Sequence, residues 1–202
     1  MPGYAISYLP CMDWQNPGTG INSAYFGTTW HREEFVSLVK VLFICHGNIC
    51  RSPVAEFVFR DIAKKAGQEA DFLIASAATT TDEIAGGVGN PVYPPARETL
   101  LRHGIDPVGK RAVLLTRADY AFYDHLIGMD AENLHDMRRI CGGDRDHKLS
   151  LLLDYTDHPR DVADPWYTRD FEASYRDIVA GCRALWSFLQ KNALSADRKD
   201  LL

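Results

Sequence analysis

An α/β fold built around a parallel sheet is what this sequence predicts, and three patterns predict it. Short, almost wholly apolar runs recur: VLFI at 41–44, FLIA at 72–75, HLIGM at 125–129 and LSLLL at 149–153. Runs of this length without polar alternation suit strands buried on both faces. Between them lie longer amphipathic stretches, and strands alternating with helices require right-handed crossovers and parallel pairing.

Bulk properties narrow the function classes. A chain of 202 residues, 46% hydrophobic and 24% charged, fits one domain with a real core, or one domain plus an appendage. Its net charge of −5 argues against a nucleic-acid partner. No run reaches the ~20 apolar residues of a membrane span, and the start lacks the layout of a secretory signal. Five cysteines (Cys11, Cys45, Cys50, Cys141, Cys182) are odd in number and irregularly spaced. They outline no disulfide framework, which points to a reducing, cytoplasmic setting.

Residues 1–38 differ from the rest, being rich in Gly, Pro, Asn, Thr and aromatics, with no sustained period. They read as a poorly ordered extension. The rival is a packed arm that buries Tyr4, Tyr8, Trp14, Tyr25, Phe26 and Trp30. The domain proper is read as 39–192, followed by a short tail at 193–202.

Within the domain, the first strand covers 41–44 and leads into a loop with Gly47 and Asn48. A helix over VAEFVFRDIAKKAG follows, with Pro53 in its first turn and Gly67 as its stop. Ala55, Val58, Phe59 and Ile62 form its core-facing stripe. After the second strand at 72–75, residues 76–93 read as a Gly-rich loop. PPARETLLRHGI reads as a helix stopped at Gly104, and TRADYAFY as a shorter one. The third strand at 125–129 precedes a helix through about Ile140. The fourth strand, at 149–153, precedes a loop at 154–168 and a final amphipathic helix from Asp170 to Lys191.

The chemistry lies in Cys45-His46-Gly47-Asn48-Ile49-Cys50-Arg51-Ser52, a C-x5-R followed by Ser between a buried strand and a helix N-terminus. Open α/β sheets bind ligands at such strand ends. The unpaired N–H groups and partial positive charge of a helix start favour a phosphate, and a loop this short turns its amides inward as an anion nest. Arg51 closes the ring as a planar fork on two phosphate oxygens. The same field should lower the pKa of Cys45 and supply thiolate, while Ser52 stabilises that thiolate when it leaves. A tight loop also needs positive φ somewhere, which Gly47 or Asn48 would accept. The alternative makes Cys45 and Cys50 core thiols and Arg51 a surface charge; the strand before and the helix after favour the site.

VLFICHGNICRSPVAE resembles the signature of the low-molecular-weight protein tyrosine phosphatases. The likeness continues through ASAATT, GNPVYPPA, GMDAENL and ADPWY, over about residues 40–190 and in the same order. It implies a flavodoxin-like three-layer sandwich with a four-stranded parallel sheet, no metal and no cofactor. It also implies a phosphomonoester hydrolase that acts on protein phosphotyrosine through a phosphocysteine intermediate and releases inorganic phosphate, as a monomer or weak dimer. The resemblance makes Asp164, in Asp164-Pro165-Trp166-Tyr167, the acid that protonates the leaving oxygen. Pro165 suits this by holding Asp164 extended on a stiff loop.

Trp166 and Tyr167 would line the mouth and stack on an aromatic leaving group, or else pack under the loop. Tyr93 is a candidate for the opposite wall. By resemblance, Cys50 would trap an oxidised Cys45 as a reversible disulfide, the alternative being a packed thiol. His46, at a position usually hydrophobic or small in the family, either tunes the site's charge or points to solvent, and solvent is favoured. GNPVYPPA lacks an acidic residue that some members carry nearby, and 77–88 is longer than usual. The remaining histidines show no metal-ligand spacing.

Three rival functions are weaker. An arsenate reductase needs a further cysteine pair, and Cys141 stands alone. Protein-arginine phosphatases resemble this sequence but carry Thr where Ile49 stands. A non-catalytic phosphate-binding module would have lost Cys45, Arg51, Ser52 or Asp164, and all four are present.

Overall fold

The computed structural model describes residues 38–199, with 193–199 by backbone alone. The predicted extension, Leu38 aside, and the last three residues of the predicted tail lie outside the described residues.

Six strands occur among the described residues, in chain order: β1 (Val39–Cys45), β2 (Phe72–Ala78), β3 (Ile84–Ala85), β4 (Val88–Gly89), β5 (His125–Gly128) and β6 (Leu149–Leu151). The main sheet runs β2-β1-β5-β6 and is parallel throughout, while β3 and β4 form a small antiparallel pair. The helices are α1 (Arg51–Lys65), α2 (Pro94–Arg102), α3 (Arg117–Phe122), α4 (Ala131–Cys141), α5 (Pro165–Thr168) and α6 (Phe171–Lys199).

Strand β1 shows why its run is apolar throughout. Val41, Phe43 and Cys45 pack into a core with Phe59, Leu100, Ile178 and Leu185, from α1, α2 and α6. Leu42 and Ile44 face the opposite core, with Met137 and Cys141 of α4. Alternate side chains thus enter different layers, which makes the three-layer flavodoxin-like sandwich. Phe59 anchors the first core, with ring centroids 5.7 Å from Phe43, 5.7 Å from Phe72 and 5.8 Å from Trp186. Its loss to Ala would cost about 3–5 kcal/mol. Helix α6 closes this layer at Gly181, where a Cβ would stand 2.5 Å from Leu152 Cγ.

Several boundaries differ from the sequence pattern. Strand β2 continues to Ala78 because the small residues Ser76–Ala78 are buried and pair with Phe43–Cys45. Strand β6 stops at Leu151, and 152–155 turn into a 3-10 helix closed by Leu151 N–H donating to Asp154 Oδ2 at 3.1 Å. Helix α1 starts at Arg51, so Pro53 is its third residue, still within the turn where no N–H is needed. Segments read as loops contain β3, β4 and the short α5. Helix α6 runs past Lys191 to Lys199. No helix among the described residues is long and apolar enough to cross a membrane.

The strand order has a functional consequence. From β1 the chain moves outward to β2, then returns to the far side of β1 with β5. The reversal falls between β1 and β5, and a crevice opens at their carboxyl ends. Cys45 ends one strand, and Asp130 lies two residues beyond the other.

Candidate active site

Between Cys45 and Arg51 the chain turns tightly from β1 into α1. Asn48 carries the positive φ, at 55°, and Gly47 does not. That left-handed geometry is locked by the fully buried Asn48 side chain. Its Nδ2 donates to Ser52 Oγ at 2.9 Å and to Ser76 Oγ at 2.8 Å, and its Oδ1 accepts from Val113 N–H at 3.1 Å. Helix α1 has no side-chain cap and no acidic residue in its first turn. Its leading N–H groups remain available to an anion.

Cys45 is 3% exposed, and its Sγ lies 3.0 Å from Ser52 Oγ. Since Ser52 Oγ already accepts from Asn48, its own proton is free for the sulfur; its other neighbour, Ala77 O, is farther away at 3.5 Å. Behind them Ser76 Oγ donates to Glu56 Oε2 at 2.6 Å. Glu56 is a buried carboxylate, neutralised by Lys110 at 2.9 Å and Arg60 at 2.9 Å. Pairing of this kind is what permits a charge at that depth. The chain Glu56–Ser76–Asn48–Ser52–Cys45 therefore runs from an ion pair to the thiol.

Arg51 is 4% exposed and holds two carboxylates. Its Nη1 donates to Asp130 Oδ2, and its Nη2 lies 2.7 Å from Asp164 Oδ2. Burial opposes its charge, but the neighbouring Cys45, Asp130 and Asp164 prevail and raise its pKa above the ordinary value. Asp164 caps α5, accepting Trp166 N–H at 2.9 Å, with backbone φ −82° and ψ 113°, as its place before Pro165 requires. Asp130 caps α4 in the same way, accepting Asn133 N–H at 2.7 Å. Asp130 is absent from the sequence-based candidates, although it stands in the GMDAENL segment. The available signal was its place just after a strand's carboxyl end.

The sequence model of the family described as "Low molecular weight phosphotyrosine protein phosphatase" matches residues 40–196. The low molecular weight protein-tyrosine-phosphatase YfkJ of Bacillus subtilis is 40% identical over 157 residues, 76% of this chain and 97% of that protein. This chain belongs to the low-molecular-weight protein tyrosine phosphatases. The Homo sapiens low molecular weight phosphotyrosine protein phosphatase is 37% identical, over 75% of this chain and 94% of its own. Among solved structures, YfkJ superposes with a TM-score of 0.71 at 39% identity, covering 77% of this chain and 97% of that one. SP-PTP of Streptococcus pyogenes gives 0.65 at 34%, covering 75% and 93%.

The mouth of the phosphatase is a cleft of about 360 Å³ that includes Cys45, Ile49, Arg51 and Asp164. Trp166 and Tyr167 line it and are 51% and 83% exposed. Tyr93 is not among the lining residues. Its ring lies 5.8 Å from Trp166 and 6.0 Å from Phe171, so it backs the wall that Trp166 presents. Cys50 is half-buried and borders the cleft; burial first, and then the charge of Cys45, push its thiol up to about 12. His46 does not simply point to solvent, since its Nε2 meets Asp82 Oδ2 at 2.9 Å. Asp82 and Glu83 both line the cleft, brought there from the segment read as a plain polar loop. That loop is tied to the Cys45–Arg51 loop, with Thr79 N–H donating to Cys45 O at 3.0 Å and Thr80 N–H to His46 O at 3.1 Å.

Proposed function

We propose that Cys45 is the nucleophile, Arg51 the phosphate clamp, Asp164 the general acid and base, and Ser52 the stabiliser of the thiolate in this tyrosine phosphatase. Amides of residues 46–51 complete the phosphate cradle. In the first step the Cys45 thiolate attacks phosphorus and the P–O bond to the tyrosyl oxygen breaks. Asp164 gives its proton to that oxygen, and the product is phosphocysteine. In the second step the Asp164 carboxylate takes a proton from water as the water attacks phosphorus. The thiolate then leaves into the hydrogen bond of Ser52, and inorganic phosphate departs.

One observation carries these assignments: Arg51, which follows the nucleophile loop directly, is ion-paired to Asp164 at 2.7 Å, so thiol, guanidinium and acid share one cleft. Trp166 and Tyr167 supply an aromatic rim suited to a tyrosyl leaving group. Cytoplasmic residence is supported by the four cysteines among the described residues, Cys45, Cys50, Cys141 and Cys182, which are all free.

The assignment of Asp164 is tested with a series of aryl phosphates of graded leaving-group acidity. Asp164→Ala should slow poor leaving groups far more than good ones. Equal slowing across the series would remove Asp164 from the role.

A further inference from the structure

We propose that Glu83 is a specificity-determining residue that makes this phosphatase select phosphotyrosines flanked by cationic side chains. The inference rests on the phosphotyrosine activity above and adds to it the chemistry of the surrounding peptide.

The floor of the cleft is built for an anion, but its walls are not. Besides Asp130 and Asp164, which Arg51 holds, the cleft is lined by the carboxylates of Asp82, Glu83 and Glu132. The basic side chains on its lining are Arg51 and His46. Arg51 is committed to the phosphate, and His46 is already engaged by Asp82 at 2.9 Å. Arg169 lies against the Trp166 ring, 5.6 Å from its centroid, and is not part of the lining.

Glu83 is distinguished from its neighbours by how firmly it is placed. Its side chain lies on the phosphate loop itself: a Cβ added to Gly47 would come within 2.9 Å of Glu83 Cγ. Asn90 holds it twice, donating from Nδ2 to Glu83 Oε2 at 2.7 Å and from its backbone N–H to Glu83 O at 2.8 Å. The turn beneath is closed by Ile84 N–H donating to Thr81 O at 2.8 Å. A half-buried carboxylate fixed over the loop loses little freedom when a cation arrives, so its attraction is realised in binding. Glu132, exposed in the first turn of α4, adds charge of the same sign. These groups line the same cleft as Cys45 and Arg51, and their charges act over a screening length of about 8 Å, the range of residues flanking a phosphotyrosine seated there. Lys or Arg there is attracted, and Asp or Glu is repelled.

The test compares kcat/KM for three phosphotyrosine peptides that differ only in flanking residues, Lys, Ala or Glu, at low and high salt. Glu83→Gln and Asn90→Ala, which releases the Glu83 carboxylate, are measured beside the wild type. The Lys peptide should exceed the Glu peptide by about fivefold or more at low salt, a rim-charge effect that salt erodes. Either variant should cut that ratio by about half or more. Equal rates for all three peptides, or a ratio unchanged in both variants, would overturn the proposal while leaving the phosphatase activity intact. Failure to turn over any of the three would overturn the phosphotyrosine activity itself, and the proposal with it.

Discussion

Ser52 Oγ stands 3.0 Å from Cys45 Sγ, and the hydrogen bond it accepts from Asn48 leaves its proton available for the sulfur. A hydrogen bond to a charged group contributes about 1.5–3 kcal/mol. Thiolate is the leaving group of the second step, so Ser52→Ala should slow phosphocysteine hydrolysis about ten- to a hundredfold. Phosphoenzyme would then accumulate, visible as a burst of released phenol followed by a slow steady state. An unchanged second step would show that Ser52 only packs.

Arg51 is held between Asp130 and Asp164, and only the second is assigned a part in proton transfer. Asp130 acts by fixing the guanidinium plane. Asp130→Ala should lower kcat/KM by up to about a hundredfold, the scale of a misplaced binding group. It should also cost about 1 kcal/mol of stability through loss of the α4 cap. Asp130→Asn keeps an oxygen for the Asn133 N–H but not the charge, so it should restore stability more than activity. Urea unfolding beside steady-state kinetics separates the two effects.

Asn48 combines a left-handed backbone with three side-chain hydrogen bonds. Asn48→Ala loses the bonds and keeps a disfavoured conformation, whereas Asn48→Gly loses only the bonds. Gly should therefore be more stable than Ala by about 1 kcal/mol in urea melts. Neither should recover activity, because neither ties Ser52 to Ser76.

The two predictions that rest on Asp130 and on the Asn48 network could not have come from the sequence alone. Strand β1 was legible because alternate side chains enter two cores and all must be apolar. The phosphate loop was legible because Cys45 and Arg51 lie in one short segment, so local order reveals the site. Asp130 reaches that site only through the return of β5 to the side of β1. Ser76 lies 28 residues from Asn48, and Glu56 lies 20 from Ser76, distances over which no local pattern reports contact. Asp82 and Glu83 look like ordinary solvated charges until the loop that carries them is tied to Cys45 and His46. Even His46, exposed in the structure, has a partner 36 residues away.

Two raised thiols, with the fully buried Cys182 also raised by burial, contribute to the alkaline behaviour. Burial raises Cys50 to about 12 and Cys141 to about 11, from an ordinary value of 9.0. The folded state holds both protons more tightly than the unfolded chain does. Their contribution is complete below about pH 9 and is lost as pH rises through the folded values. The thermal midpoint should fall between pH 9 and 11, and it should fall less in Cys141→Ala. At neutral pH, alkylation by iodoacetamide should label neither of these cysteines at an appreciable rate, because both remain thiols.

The assignment of Cys45 as nucleophile is tested most directly by acid-quenching a reaction with a phosphotyrosine peptide during turnover. Mass spectrometry then locates the trapped phosphate. One phosphate on Cys45 is expected in the wild type, more of it in Ser52→Ala, and neither turnover nor phosphocysteine in Cys45→Ser. Phosphate on another side chain, or turnover surviving in Cys45→Ser, would contradict the assignment.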